Sequence, residues 1–355
     1  MKSALLIFLF IATPALAQSG RQKPTPTPTP KQISGPSVIS GPSRGNIPLL
    51  PGPKITYPPT PKVDNEDTIK VESVLVPIPV SVLDTRGKAF NTLKLADFEL
   101  KVDGKAAEIR DLSRSETPIR LAMLFDNSSS VLIARDFEKD AATRFFRRVI
   151  RPQKDRAALF SMADYTRLEQ EMTSEIGLLT QAIEMFPLPK GATALLDGII
   201  EVAEYLKSET GRRVVVIVSD GEDTYSDPKT TLEGVVKSLQ ENDCQVYVVK
   251  TKDFENFKRT GVRGGNANIR ALTAERRMIE LAQQTGGAVY SPIDEQELTE
   301  AFEQISAELS QQYVLSYYPE NDTDKRGEFR SISVTVKNRP NVTLRTRKGY
   351  YVRKN

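Results

Sequence analysis

Histidine and tryptophan are missing from this chain of 355 residues, and cysteine occurs once. Without histidine there is no Ser-His-Asp or Cys-His catalysis, no His-Glu-x-x-His zinc site and no imidazole base. The single Cys244 cannot close a disulfide within the chain or build a thiolate metal cluster. It stands at the start of the apolar run 245–249, where a buried free thiol is expected. Lys plus Arg, 49, nearly balances Asp plus Glu, 46, so no charge excess directs the chain to nucleic acid. What remains for chemistry is oxygen, in carboxylates and hydroxyls.

What is present begins with a leader. Lys2 precedes the apolar run 4–12, and Ala15-Leu16-Ala17 places small residues three and one before an expected cleavage. Residues 1–17 therefore read as a secretory signal peptide, too short to span a bilayer as a helix of ~20 residues. The mature chain is expected to be secreted or periplasmic. Residues 18–66 carry Pro-Thr repeats at 24–30 and scattered Gly-Pro steps, which fits an extended, solvated linker.

Period-two alternation follows in 67–117. The run 69–83 reads as one or two strands, with Pro77 and Pro79 pointing to an edge or bulge. Residues 98–102 form another strand, turned by Asp103-Gly104, and 108–112 is expected to pair back on it. These strands are too few for a sandwich, and 312–355 offers more at 313–318, 331–337 and 342–346. Head and tail are expected to fold into one β-sandwich around an inserted domain, 118–311. Inside that insertion, apolar runs alternate with amphipathic stretches, the pattern of an α/β doubly wound, Rossmann-like sheet. The stretch 251–275 reads as one long, basic, glycine-containing connection, a rim suited to selecting an acidic partner. Residues 320–327 read as a hairpin loop between tail strands.

The insertion is organised around 121–130, Leu-Ala-Met-Leu-Phe-Asp-Asn-Ser-Ser-Ser. A buried strand ends in Asp126, and Ser128 and Ser130 follow at spacings of two and four. A second buried strand, 214–219, ends at Asp220, and Thr193 opens the helical run 194–206. Oxygen donors at strand ends suit a hard cation such as Mg²⁺. The same residue types also cap helices and fill turns, which is the structural alternative.

In these residues the chain resembles the von Willebrand factor A domain family and its metal-ion-dependent adhesion site. That pattern is Asp-x-Ser-x-Ser, then a Thr, then an Asp, filled here by Asp126, Ser128, Ser130, Thr193 and Asp220. Ser129 stands where many members have Gly. The turn 97–104, Asp-Phe-Glu-Leu-Lys-Val-Asp-Gly, resembles the head of bacterial extracellular VWFA-related proteins. The resemblance implies that the serine hydroxyls contact Mg²⁺ (Mn²⁺ or Ca²⁺ as alternatives) and that Asn127 and Ser129 face away. It also implies that a protein partner completes the ion's shell with an acidic side chain, which makes the chain an adhesion module and not an enzyme. Two other readings stand beside it. One is a structural envelope or stalk protein with a metal-free A-domain. The other is a phosphotransferase with Asp126 as nucleophile, although haloacid-dehalogenase-type enzymes want a second Asp where this chain has Ser128.

Overall fold

A computed structural model describes residues 75–114, 117–263, 268–319 and 327–352. The expected signal peptide and linker, and positions 320–326 of the expected hairpin loop, lie outside the described residues. The described residues all belong to one unit, 69–355.

Alternation shapes the first strands. β1 (Val76–Leu83) buries Ile78, Val80 and Val82, and β2 (Phe98–Val102) buries Phe98, Leu100 and Val102, because successive side chains point to opposite faces. Asp103 and Gly104 both take positive φ, which makes a two-residue turn into β3 (Lys105–Ala107). Pairing begins directly after that turn, with Val102 opposite Lys105. The expectation that 108–112 pairs back is therefore corrected, since 105–107 already fills that place. β4 (Asp111–Arg114) crosses to a different sheet.

The insertion comprises β5 (Ile119–Asp126), α1 (Arg135–Val149), β6 (Arg156–Met162), β7 (Thr166–Thr173), α2 (Ile176–Glu184), α3 (Leu195–Leu206), β8 (Arg212–Ser219), α4 (Leu232–Glu241), β9 (Cys244–Lys250), α5 (Lys252–Thr260), α6 (Ile269–Thr285), β10 (Val289–Tyr290) and α7 (Glu295–Gln311). Its sheet runs β10-β9-β8-β5-β6-β7, parallel except for the antiparallel edge β7. β5 and β8 are apolar almost throughout because both faces are covered. Leu121, Met123 and Phe125 pack toward α1, α2 and α7, whereas Ala122 and Leu124 pack toward α3, α4 and α6. Cys244 is buried and free, as expected.

The stretch 251–275 departs from expectation. Its described residues fold as α5 and the first turns of α6. Phe254 buries its ring fully, Gly261 closes α5 in the left-handed conformation, and the Asn268 side chain caps α6 by accepting from Ala271 N at 2.8 Å.

The tail supplies β11 (Tyr313–Tyr317), β12 (Phe329–Val336), β13 (Thr343–Thr346) and β14 (Gly349–Tyr351), the last not anticipated. Two antiparallel sheets result, β13-β1-β11-β4 and β14-β12-β2-β3. Each mixes strands from before and after the insertion. Ile78, Val80 and Leu315 of one sheet share a core with Leu100, Ile332 and Val334 of the other. The α/β domain is thus inserted into a β-sandwich. Pro77 and Pro79 lie on an interior strand, not an edge, yet β13 pairs only with residues 80–83. Beyond it their carbonyls accept from Arg347 Nη2 at 2.8 Å and Thr346 Oγ1 at 3.0 Å, so the missing proline N–H groups face no ladder.

Only Gln312 separates α7 from β11, and it bridges the two parts. Its Nε2 donates to Ser81 Oγ at 2.9 Å, and its Oε1 accepts from buried Arg212, which also donates to Leu309 O at 2.9 Å. A second close approach is Gly286–Gly287, where the end of α6 meets both β9 and the backbone at Thr346–Arg347. Among the described residues no helix is long and apolar enough to cross a membrane.

Candidate functional site

From β5 the sheet extends one way through β6 and β7 and the other way through β8, β9 and β10. The loops leaving β5 and β8 therefore diverge and open a crevice at the carboxyl ends of those strands, the usual ligand position in open α/β sheets. Asp126 ends β5 and Asp220 follows β8, and both are buried.

Asp126 is held from both sides. Its Oδ1 accepts from Ser128 N at 2.9 Å, and its Oδ2 accepts from Ser219 Oγ at 2.7 Å. The hydroxyls of Ser128 and Ser130 are 2.9 Å apart. The loop of Thr193 is laced between the other two. Ser129 donates N and Oγ to Gly191 O at 3.2 and 3.1 Å, while Thr193 O accepts from the N–H groups of Thr224 and Tyr225 at 2.8 and 3.0 Å. Gly191 has φ +85°, and a Cβ there would lie 2.7 Å from Asp164 Oδ1, the same oxygen that accepts from Ala192 N. All five expected residues thus belong to one set of mutually bonded loops.

Several participants were not anticipated. Lys252, at the start of α5, places Nζ 3.3 Å from Asp220 Oδ2 and 3.1 Å from Glu222 Oε1. Reading 252–260 as a helix would have put Lys252 in its first turn, beside the Asp220 loop. Ser219 went unnoticed because it closes an otherwise apolar strand. Between the site residues, Asn127 is buried, with its N donating to Met162 O and its O accepting from Lys190 N, and Ser129 fastens the Gly191 loop through its hydroxyl. Asp223 accepts from Leu195 N at 3.0 Å and Ser226 Oγ at 2.6 Å, so it builds the loop. Asp197 likewise accepts from Asp227 N and Thr230 Oγ1.

Charge is concentrated here. Burial, and then the neighbouring Asp220, push the Asp126 carboxyl up to about 6 against its hydrogen bonds from Ser128 and Ser219. Glu255 on α5 is pushed up to about 8, first by burial and then by Asp220. Glu138 on α1 is raised well above the carboxylate range by burial and then by Glu255, and its two oxygens have no partner among the described residues. Burial works against the Lys252 charge, but Asp220 and Glu222 hold its value up. An all-oxygen donor set beside buried, mutually repelling carboxylates fits a hard cation. Among the described residues no three His, Cys, Asp or Glu side chains group to hold a metal. A divalent ion here would rest on two carboxylates and three hydroxyls.

A pH dependence follows for the metal-free chain. Glu255 holds a proton in the folded state up to about pH 8, whereas in the unfolded chain it loses it near its ordinary 4.5. Between these values the unfolded state binds fewer protons, so stability falls as pH rises through the window. Urea midpoints in EDTA are expected to drop from pH 5 to pH 8, with Glu138 contributing in the same direction, and Glu255→Gln is expected to make the drop above about pH 6 clearly shallower. An unchanged slope in the variant would exclude Glu255 as its source.

Residues 121–304, just over half of the chain, match the von Willebrand factor type A domain. Among solved structures, the chain is similar to the PilB minor pilin from Streptococcus sanguinis at 13% identity and TM-score 0.43, covering 55% of this chain and 62% of that one. It is similar to the conserved hypothetical protein BatB from Bacteroides thetaiotaomicron at 15% identity and TM-score 0.41, covering 53% and 97%. A third is the vWF domain of the type V pili tip protein Mfa5 from Porphyromonas gingivalis, at 12% identity and TM-score 0.42, covering 54% and 94%. The chain therefore spans less than two thirds of the pilin's length. No curated protein matches it.

Proposed function

The chain belongs to the von Willebrand factor type A domain family, and on that premise we propose that it is an extracytoplasmic protein-binding module that recognises a partner carboxylate through a divalent cation. Ser128, Ser130 and Thr193 would hold the ion with neutral oxygens, and Asp126 and Asp220 would supply the negative charge. When bound, the ion offers an incompletely neutralised face to an acidic side chain. Mg²⁺ is the expected ion, with Mn²⁺ or Ca²⁺ as alternatives.

The observation that carries this reading is the lacing of three sequence-distant loops around buried Asp126 and Asp220 at the crevice between β5 and β8. The leader at 1–17 supports a secreted or periplasmic location. The site is read as non-catalytic, since it lacks a histidine base and its proton-holding acids, Glu138 and Glu255, are buried.

A second reading, a structural A-domain without metal, draws on Lys252, whose ammonium already leans on Asp220. Passing an extract of the source envelope over immobilised chain separates the two. Retention of a partner in Mg²⁺ and its release by EDTA is the expected result; equal retention in both favours the structural reading.

A further inference from the structure

A cleft beside the candidate site holds two cations that the function above leaves unused. Most basic groups of 250–263 are neutralised within the fold. Lys250 pairs with Asp253 at 3.5 Å, Lys252 with Asp220 and Glu222, Lys258 with Glu295, and Arg263 with Asp294 and Glu297. Arg270 is exposed, and no described carboxylate pairs with it. Arg277 lies seven residues on, along the same face of α6. It donates Nη1 to Gly221 O at 3.0 Å and likewise meets no described carboxylate.

Both arginines line a cleft of about 420 Å³ with Thr224, Ile269 and Thr273. Glu222 and Asp223 border it as well, each turned to a partner in its own loop or on α5. Lys252 sits on Glu222, and Asp223 accepts from Leu195 N and Ser226 Oγ. The cleft therefore presents two guanidinium groups, whose planar forks match a carboxylate. It adjoins the candidate site directly, because Thr224 N donates to Thr193 O and Gly221 follows Asp220.

Exposed apolar side chains gather around the site. Every large apolar side chain of the described residues that is more than 60% exposed stands on the connections at this end of the sheet: Tyr165, Met185, Leu188, Tyr225, Val262 and Ile269. Tyr225 donates its backbone N to Thr193 O, and Ile269 lines the cleft with the arginines. Exposed apolar patches rimmed by polar groups mark interaction surfaces.

We propose that the cleft between the Asp220 loop and α6 is a second anion subsite, so that the partner segment carries two carboxylates with an apolar residue between them. The first carboxylate goes to the cluster of Ser128, Ser130 and Thr193. The second goes to Arg270 and Arg277, and the intervening side chain rests on Tyr225 and Ile269. This deepens the reading of the preceding subsection and depends on it.

Short random peptides displayed on phage and selected on the full chain in Mg²⁺ provide the test. Peptides enriched on the unaltered chain are expected to carry two acidic residues separated by apolar ones, and those enriched on Arg270→Ser only one. A resynthesised two-acid peptide is expected to bind Arg270→Ser about tenfold more weakly than the unaltered chain. Arg270 makes no described bond to the fold, so the variant keeps its structure; Arg277→Ser, which gives up the bond to Gly221 O, serves as the second variant. The same motif on all three chains overturns the second subsite and leaves the metal site standing. Enrichment that ignores acids or Mg²⁺, or no enrichment at all, overturns both.

Discussion

Asp126→Asn is expected to lower divalent-ion affinity at least about 100-fold, equivalent to ~2.7 kcal/mol, while leaving the metal-free fold as stable as before or more so. The two effects have opposite signs for one reason. In the absence of an ion, the Asp126 charge is buried beside Asp220, which is why its carboxyl is pushed up to about 6. Asparagine removes that repulsion, yet its amide oxygen still accepts from Ser128 N and its amide nitrogen faces the Ser219 hydroxyl. With an ion present, the charge that was a burden becomes half of the negative charge the donor set supplies. Calorimetric titration with Mg²⁺ and Mn²⁺, paired with urea midpoints in EDTA, reads both effects. Unchanged ion affinity would remove Asp126 from the donor set. A fold that weakens by several kcal/mol would show that Asp126 serves the structure instead.

Gly287→Ala is expected to destabilise the folded chain by about 4 kcal/mol, among the larger effects a single methyl can have. The added Cβ would stand 1.8 Å from Val246 O, a backbone atom of β9. Neither side can retreat. Val246 N is bonded to Thr285 Oγ1 at 3.1 Å, and Val248 N to Ala288 O at 2.9 Å. The adjoining Gly286 is pressed against the backbone of Thr346 and Arg347, so a shift of this corner would also disturb the sandwich. Gly104→Ala is the control. Gly104 has the positive φ that Gly287 does not, and nothing lies within 4 Å of its missing side chain, so backbone strain alone is expected to cost about 1 kcal/mol there. Urea denaturation of the two variants decides; a loss at Gly287 no larger than the loss at Gly104 would mean that the contact with β9 is relieved at little cost.

The legible parts of this protein were those in which one residue type repeats for one physical reason. β5 and β8 are buried on both faces and read as unbroken apolar runs, so Asp126 and Asp220 stood out as strand-terminal acids. The 98–102 strand alternates because one face is dry, and its Asp-Gly turn needs two positive φ values. The insertion of one domain into another was legible because neither head nor tail held enough strands alone. α5 was not legible. Phe254 is its single fully buried large side chain, and the charges around it read as a solvated loop. Two-residue β10 and three-residue β14 are too short for a period to show. Glu138 and Glu255 escaped notice because acids on helices ordinarily face water. Their burial follows from the placement of α1 and α5 behind the Asp126–Asp220 pair, which is a tertiary fact. Lys252 counted among the basic residues of the 251–275 rim, and its pairing with Asp220 rests on the same placement.

The interleaved sandwich has a consequence for how the chain is made. β4 pairs with β11 across roughly 200 residues, a span whose closure entropy delays pairing until the ends are held together by other means. A folded insertion holds them together, since α7 delivers its last residue one position from β11. During synthesis β1 and β4 must therefore wait, unpaired, until the whole insertion has emerged and closed. A ribosome stall or a protease cut inside the insertion would strand both halves with open β-edges, which invite pairing with other chains. The sandwich thus reports on the integrity of the domain it carries, because its sheets complete themselves only after the passenger has folded.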